Sequence, residues 1–261
     1  MQDKPSLEDT LALMRDLRAR CDWDRAQTHE SLRPYLVEEA HEVDDALRLG
    51  DATLLREELG DLLLQVLFHS VIAEEAGEFT FADVCAGLIA KMHARHPHLY
   101  GDGVKREWEA MKASKRRSIA EGLATGLPAL HRAHRLQDRA AGVGFDWPDA
   151  AGPADKVAEE LGEVRAELAR RPAPDAAGTA PAATPDPALE GELGDLLFAV
   201  VNLCRKTGVH ASLALDRANA KFAARFEAVE RLAAERGIDV RHAGLAVLDG
   251  LWDEVKLTEA P

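Results

Sequence analysis

The chain has 261 residues, 46% of them hydrophobic, which is enough apolar material for one large core or two smaller ones and excludes disorder along the whole chain. Its formal net charge of −14 repels phosphate backbones, so general binding to nucleic acid is not expected. Aromatic residues make up only 5% and β-branched residues seldom cluster, so the composition predicts an all-α protein.

The first segment, residues 1–21, carries charged residues every few positions. It offers no continuous apolar stretch that could serve as a signal peptide or a membrane span. We therefore expect a cytoplasmic protein that does not contact a membrane. Cys21, Cys85 and Cys204 are odd in number and lack C-x-x-C spacing, so neither a disulfide framework nor a zinc knuckle is expected.

Apolar residues recur at three- and four-residue steps along most of the chain, which predicts a series of amphipathic helices. The predicted helices span Leu7–Arg20, 34–49, 54–72, Phe81–Arg95, 130–140, 155–170, 189–203, 213–236 and 246–257. Side-chain oxygens that can accept from free backbone N–H groups predict helix starts at Thr80 with Asp83, and at Ser212.

Two segments interrupt the helical pattern. Residues 171–188 are rich in proline and alanine and predict a flexible loop, because proline lacks the N–H group that a helix needs. Residues 142–148 read Gly-Val-Gly-Phe-Asp-Trp-Pro and are bracketed by glycine. This composition predicts a defined connector that docks on a domain surface.

Four sequence elements occur twice in the same order, which indicates an internal repeat. The first half contains Glu38-Glu39-x-x-Glu42, Glu58-x-x-Asp61, Lys91-x-x-x-Arg95 and Trp108-x-x-x-Lys112. The second half contains Glu159-Glu160-x-x-Glu163, Glu192-x-x-Asp195, Lys221-x-x-x-Arg225 and Trp252-x-x-x-Lys256. We therefore predict an N-terminal domain over 1–117 and a C-terminal copy over 154–261, joined by a connector with a short helix over 118–153.

Each half holds two pairs of carboxylates three residues apart, a spacing that puts both members about 60° apart on one helix face. The pairs are Glu39 with Glu42, Glu58 with Asp61, Glu160 with Glu163, and Glu192 with Asp195. Four acids that converge beside an apolar core would repel one another unless cations lay between them. All-oxygen ligand sets select Mg²⁺ or Mn²⁺. One such pair alone is more often a solvated helix face, but the matched repeat favours a metal site in each half.

Glycine precedes the aspartate of each E-x-x-D pair, at Gly60 and Gly194. Glycine inside a helix lowers its stability by about 1 kcal/mol. Its presence at both positions indicates either close packing or the approach of a ligand.

A di-iron site of the ferritin type is the main alternative for the ligands, since Glu38-x-x-His41 matches one of its elements. That architecture needs a second E-x-x-H, whereas the second half has Gly162 and Glu163 where a histidine would be required. We therefore expect His41 to lie at the surface or at the edge of the core.

The cations downstream of the acids fit a phosphate ligand. Lys221 and Arg225 lie one turn apart on one helix face and could reach the oxygens of a triphosphate. Trp252 could stack on a base, with little discrimination between bases, or it could pack in the core, and the sequence leaves both open. In the first half Lys91 and Arg95 run directly into a His-Pro pair that stops the helix.

These residues resemble the MazG family of nucleoside triphosphate pyrophosphohydrolases, in its long two-domain bacterial form. Besides the carboxylate motifs, the resemblance is carried by Cys21-Asp-Trp-Asp24, Gln27-Thr-His29, Arg95-His-Pro-His98, Leu127-Pro-Ala-Leu130, Val143-Gly-Phe-Asp-Trp147, Lys221-Phe and Arg225-Phe. It implies tandem all-α domains that dimerise into four-helix bundles and hold Mg²⁺ on the E-x-x-E and E-x-x-D carboxylates. It further implies hydrolysis of NTP or dNTP to the monophosphate and pyrophosphate. One departure is Ala188, where several family members carry a basic residue.

Carried onto this chain, the resemblance implies the functional residues of the second half. The metal ligands would be Glu160, Glu163, Glu192 and Asp195. The nucleotide contacts would come from Lys156, Glu159, Lys221, Arg225 and Trp252, together with the metal-binding Glu160, Glu192 and Asp195. Glu159, beside the ligands Glu160 and Glu163, could act as a general base that orients the attacking water.

We expect the second half to carry the main activity. Lys156 lies one turn before Glu160 on the same helix face, whereas uncharged Tyr35 holds the matching place in the first half. Glu39, Glu42, Glu58 and Asp61 would then form a second, less active site. The alternative function is a non-catalytic regulatory or scaffold protein in which the carboxylates bind Mg²⁺ structurally.

Overall fold

The computed structural model describes residues 4–105, 116–171 and 186–258, and helices are the only regular elements in these ranges. The helices, numbered within the described ranges, are α1 Leu7–Arg20, α2 Asp22–Ala26, α3 His29–Leu49, α4 Ala52–Glu75, α5 Phe81–Arg95, α6 Pro97–Tyr100, α7 Ala129–Ala141, α8 Ala151–Arg170, α9 Pro187–Lys206, α10 Ala211–Glu235 and α11 Leu245–Thr258. The all-α prediction is confirmed. No described helix is both long and apolar enough to cross a membrane.

The chain divides into two compact units, Met1–Arg106 and Glu107–Pro261. Short polar motifs set where the helices of the first unit begin. Thr28 and Ser31 form a reciprocal capping box that starts α3 at His29, upstream of the predicted start at residue 34, so Pro34 lies inside the helix. The short helices α2 and α6 were not predicted, because four or five residues are too few to show a helical period.

Of the two predicted N-caps, the one before α5 is confirmed and the one before α10 is wrong. Thr80 and Asp83 form the predicted capping box of α5, with Asp83 Oδ2 accepting from the Thr80 backbone N–H at 2.8 Å. The expectation for Ser212 is wrong. Helix α10 begins at Ala211 and the N-cap position is held by His210, so Ser212 lies in the first turn.

The core of the first unit lies between α1, α3 and α4. It is formed by Met14, Leu32, Leu67, Phe68 and Val71, each almost fully buried. Helices α3 and α4 pack against each other. This packing sets the relative position of the acidic residues that the two helices carry.

Arg18 is a buried cation that ties α2 to the rest of the first unit. Its Nη1 donates to the backbone carbonyls of Asp24 at 2.5 Å, Arg25 at 3.1 Å and Gln27 at 2.9 Å. Its other nitrogens bind the carboxylate of Glu75 at the end of α4. The guanidinium therefore binds carbonyls at the end of a helix of only five residues.

In the second unit, α8 and α9 form the most extensive helix pair, and α7 packs against both α9 and α10. A second core of Val229, Ala233, Leu251 and Val255 lies between α10 and α11. Helix α7 belongs to the segment predicted as a connector, and it is a packed member of this unit.

Three histidines meet where α7 contacts the start of α10. The ring of His210 lies 5.1 Å from that of His131 and 4.8 Å from that of His134, measured between centroids. Burial lowers the pKa of both His131 and His134, and the neighbouring His210 lowers them further. These shifts favour the neutral forms of His131 and His134.

The connector 142–148 docks on the second unit, as predicted. Asp146 forms ion pairs with Arg205 and Lys206 at the end of α9, and the Lys206 Nζ donates to the Trp147 carbonyl at 2.6 Å. The Trp147 indole lies against Gly152, where an added Cβ would stand 2.4 Å from the ring. Connector, α7 and α9 together border a largely apolar cavity of about 490 Å³.

The predicted Pro/Ala-rich loop 171–188 lies mostly outside the described residues, which resume at 186. Helix α9 begins at Pro187, so the last two residues assigned to the loop are helical. Asp186 caps this start by accepting from the Ala188 N–H, and proline suits the first helical position because its missing N–H is not needed there.

Candidate functional site

The second unit brings three acidic side chains together between α8 and α9. Carboxylate oxygens of Glu160, Glu163 and Glu192 all lie within 4.8 Å of one another. Glu160 is buried, Glu192 is half-buried and Glu163 is exposed, so the group opens to solvent on one side. Asp195, the fourth predicted ligand, is exposed on α9 one turn beyond Glu192 and is not part of this group.

Lys156 partly neutralises this cluster. Its Nζ lies 2.6 Å from Glu160 Oε1 and 3.0 Å from Glu159 Oε1, one turn along α8. The hydrogen bond to Glu160 raises the pKa of Lys156 well above its usual range, and the same bond lowers the pKa of Glu160. The pKa of Glu163 is raised, because it shares a hydrogen bond with the Glu160 carboxylate and lies beside its charge. Glu159 itself is exposed and is held next to the cluster through Lys156.

The first unit contains a matching cluster between α3 and α4. Oxygens of Glu39, Glu58 and Asp61 lie within 4.8 Å of one another. The pKa of Glu39 is raised by burial and then by the charge of Asp61, while the pKa of Glu58 is raised by burial and then by the charge of Glu42. Glu42, the fourth predicted ligand, is exposed and is not part of the group of three. Among residues 4–105, no lysine or arginine is ion-paired with these three acids.

The position that matches Lys156 is held in the first unit by Tyr35. Its ring meets the Trp23 indole edge to face, with centroids 6.5 Å apart. His41, one residue before Glu42, is exposed and takes no part in the cluster, as expected from the incomplete di-iron pattern. The two clusters therefore each bring three acids together, and they differ in which acid is left out and in the residue one turn before the first glutamate.

The glycines of the E-x-x-D pairs are not explained by close packing within the chain. An added Cβ at Gly60 or Gly194 would meet no described atom within 4 Å. The packing part of the expectation is therefore wrong for the described residues, and the position that does need glycine for packing is Gly152. Both E-x-x-D glycines instead leave open space beside an acid.

The predicted phosphate-binding residues lie on α10 and α11 of the second unit. Lys221 is exposed and Arg225 half-buried in the middle of α10, where the helix backbone fixes their direction. The Arg225 guanidinium carbon lies 5.9 Å from the centroid of the Trp252 ring. The structure thus brings Arg225 and Trp252 together.

Trp252 is also part of a core. It is half-buried, packs against the cluster between α10 and α11, and its ring lies 5.3 Å from that of Phe222. The sequence left stacking on a base and core packing open, and the contacts show that packing is one of its roles. Helix α10 contacts α9, which carries Glu192, so this group and the carboxylates belong to one unit.

The corresponding cations of the first unit lie at a helix end. Helix α5 stops at Arg95, His96 is its C-cap and Pro97 begins α6, as the sequence predicted. Lys91 is exposed on the same helix. The predicted Trp108-x-x-x-Lys112 element lies outside the described residues.

Sequence reasoning missed the residues that hold the connector before α8, the helix that carries Lys156, Glu160 and Glu163. The ion pairs of Asp146 with Arg205 and Lys206 join this connector to the end of α9. An Arg-Lys pair ten residues after the E-x-x-D aspartate is visible in the sequence. Its partner lies about 60 residues away, which no local pattern reveals.

Comparison with known proteins agrees with this geometry. The family model described as the MazG nucleotide pyrophosphohydrolase domain matches twice, over residues 27–100 and 153–229, which confirms the internal repeat. The chain is 42% identical to a nucleoside triphosphate pyrophosphohydrolase of Escherichia coli, over 94% of each chain. It is 40% identical to the nucleoside triphosphate pyrophosphohydrolase/pyrophosphatase MazG of Thermotoga maritima, over 95% of each chain. It also matches YabN, an uncharacterized protein of Bacillus subtilis, at 38% identity over 95% of this chain and 51% of the relative.

Proposed function

The chain belongs to the MazG nucleotide pyrophosphohydrolase family, and from this premise we propose that it hydrolyses nucleoside triphosphates to the monophosphate and pyrophosphate with Mg²⁺. Both NTPs and dNTPs would be substrates. The observation that carries the proposal is the group of three carboxylates on α8 and α9, with a lysine beside it. An acidic chain with a net charge of −14 can accept a polyanion only where cations are concentrated.

The acids of the second unit fit a hard divalent cation. Their oxygens lie within 4.8 Å of one another, while oxygens on opposite sides of Mg²⁺ are about 4 Å apart, so little adjustment is needed. Glu160, Glu163 and Glu192 would hold the ion, and the exposed Asp195 could join them by a change of rotamer. When bound, Mg²⁺ would neutralise triphosphate charge and activate water for attack. Mn²⁺, which accepts the same ligands, could replace it.

The remaining predicted residues would position the substrate. Lys156, Lys221 and Arg225 supply positive charge for the phosphate oxygens, and Trp252 offers a partly exposed indole beside Arg225. Glu159 lies on α8 beside the metal ligands, where it could accept a proton from the attacking water. These roles rest on the family resemblance and on the placement of the residues within one unit.

We expect weak discrimination among bases and between ribose and deoxyribose. An indole face can stack on any base, and no Asn/Gln-rich base-reading motif accompanies it. A broad substrate range suits the clearance of unwanted nucleotides from the cytoplasmic pool. A preference above about a thousandfold for one nucleotide, equivalent to about 4 kcal/mol, would contradict this assignment.

We propose that the second unit carries the main activity. Its cluster has Lys156 within reach of the acids, and Lys221 and Arg225 lie mid-helix. In the first unit Tyr35 brings no charge and α5 ends at Arg95. The cluster of Glu39, Glu58, Asp61 and the nearby Glu42 would have lower activity or a role in assembly.

The test is pyrophosphate release from a mixed NTP pool by two matched variants. Glu163→Gln keeps the side-chain volume and removes one metal-binding charge, so turnover should fall at least about a hundredfold. Glu42→Gln is the same change in the first unit and should leave most of the activity. EDTA should abolish turnover. The opposite ranking would reverse the assignment of the halves, and orthophosphate as first product would overturn the reaction.

A non-catalytic metal-binding scaffold is the competing function. It predicts metal binding without turnover in the wild-type chain. Absence of pyrophosphate release with every common NTP and dNTP, together with retained Mn²⁺ binding, would favour it.

We further propose that the protein is a homodimer. Apolar side chains remain exposed on the two helices that carry the E-x-x-D pairs, including Leu59 at 49% and Leu197 at 58%. Helices from a second copy would cover them and complete four-helix bundles. Light scattering should give twice the mass of one chain at micromolar concentration, and a monomeric mass would contradict the proposal.

A further inference from the structure

The ammonium of Lys156 contacts the carboxylate of Glu160, one of the acids that would hold a divalent cation. It lies 2.6 Å from an oxygen of Glu160, the one buried acid of the cluster, and 3.0 Å from Glu159. The first cluster also brings three acids within 4.8 Å of one another, and Tyr35 holds the position that matches Lys156. Within the described residues, the second cluster therefore has an internal cation and the first has no ion-paired lysine or arginine.

A divalent ion held by Glu160 would repel this lysine. Both cations would then contact one carboxylate, within a few ångströms of each other. Two cations at that separation repel strongly at the edge of a protein core. Lys156 has a flexible four-carbon stem and is 41% exposed, so the repulsion can be relieved by a change of rotamer toward solvent.

We propose that Lys156 is an exchangeable internal cation of the second site. It neutralises Glu160 and Glu159 while no metal is bound, metal binding displaces it, and the released ammonium then binds the triphosphate. Lys156 thereby opposes metal binding and supports nucleotide binding, so that the metal generates much of the affinity for nucleotide. This inference rests on the proposed nucleotide substrate for its last step only.

The competition step is tested without nucleotide. In full-length protein whose first cluster is disabled by Glu39→Gln and Glu58→Gln, Mn²⁺ affinity is measured by calorimetry with and without Lys156→Met. Methionine keeps the stem and removes the charge, so Mn²⁺ should bind about threefold to tenfold more tightly. Lys156→Arg keeps the charge and should retain the weaker affinity. Unchanged or weaker Mn²⁺ binding by Lys156→Met would overturn the proposal, because a lysine that occupies Glu160 in the metal-free protein must oppose metal binding.

The second step, binding of the released Lys156 ammonium to the triphosphate, is tested with a non-hydrolysable α,β-methylene triphosphate in saturating Mg²⁺. Lys156→Met should bind this analogue at least about tenfold more weakly, because a charge-assisted contact to phosphate is lost. Tighter Mn²⁺ binding with unchanged analogue binding would overturn the transfer to phosphate. Circular dichroism checks that each variant is folded, and Lys156→Gln provides a second neutral variant if the methionine variant is not.

The two proposals fail in different ways. A chain that releases no pyrophosphate but binds Mn²⁺ more tightly without Lys156 would refute the proposed function and retain the internal cation. A chain with full hydrolytic activity and no change in Mn²⁺ affinity would refute the internal cation alone. A reciprocal change, Tyr35→Lys, should weaken Mn²⁺ binding at the first cluster, because residue 35 lies one turn before Glu39 as Lys156 does before Glu160.

Discussion

Gly152→Ala should destabilise the second unit, although alanine is the better helix former. An added Cβ at residue 152 would lie 2.4 Å from Cε3 and 2.7 Å from Cδ2 of Trp147. Carbon atoms in contact stay about 3.5–4.0 Å apart, so the indole must move by about 1 Å or more. The backbone of Trp147 cannot follow freely, because its carbonyl accepts from Lys206 and the preceding Asp146 is paired with Arg205.

The expected change in unfolding free energy for Gly152→Ala is the balance of two opposing effects. Forcing a side chain out of a packed position costs about 1–3 kcal/mol, and turning the indole into solvent would forfeit a similar amount of apolar burial. The helix gains at most about 1 kcal/mol from alanine. The expected net loss is about 0.5–2 kcal/mol of unfolding free energy.

Gly250→Ala is the matched control. Gly250 lies inside α11 of the same unit, and an added Cβ there would meet no described atom within 4 Å. This change should therefore stabilise the unit, by up to about 1 kcal/mol. Urea unfolding followed by circular dichroism should shift the midpoint downward for Gly152→Ala and upward for Gly250→Ala. Equal shifts, or a gain in stability from Gly152→Ala, would refute the packing argument.

Two further predictions concern stability. Arg18→Ala should cost about 1–3 kcal/mol of unfolding free energy, because it removes a buried cation that binds the carbonyls of Arg25 and Gln27 and pairs with the exposed Glu75. A urea-midpoint loss worth under about 0.5 kcal/mol would contradict this expectation. Acidification should destabilise the second unit. Burial lowers the pKa of His131 and His134 in the folded state, whereas in the unfolded chain their pKa is about 6.5. As the pH falls below about 6.5 the unfolded chain therefore binds more protons than the folded chain, and the loss of stability continues until the pH is below the folded pKa values. His134→Gln should lose less stability than wild type between pH 7.5 and pH 5.5, and an equal loss would show that these histidines do not contribute.

Most of the fold was predictable because its determinants are local. Helix α5 was predicted with its observed bounds, since a capping box starts it and a proline follows its end. Helix α3 begins five residues before its predicted start, because the Thr28–Ser31 box starts it at His29. The start of α10 was misassigned for a similar reason, since a serine near a helix start is a common cap and here lies inside the first turn.

The site was predictable in its residue types and less so in its geometry. The four acids of each half were chosen by their spacing, and three of each four converge: Glu39, Glu58 and Asp61 in the first cluster, and Glu160, Glu163 and Glu192 in the second. The member left out differs between the clusters. Spacing places residues on a helix face, but which of them meet depends on how one helix is rotated against the other.

The sequence by itself determined the helical class, the internal repeat and the acids at helical spacing. These features depend on residues within about one turn of each other, where helix geometry is fixed. Only the tertiary structure decided that Asp146 ties the connector to the end of α9, that Trp147 needs a glycine at residue 152, and that Trp252 packs against Arg225 and a core. Such contacts join residues far apart in the chain. They follow from the packing angles of whole helices, which many weak apolar contacts set together and no short pattern encodes.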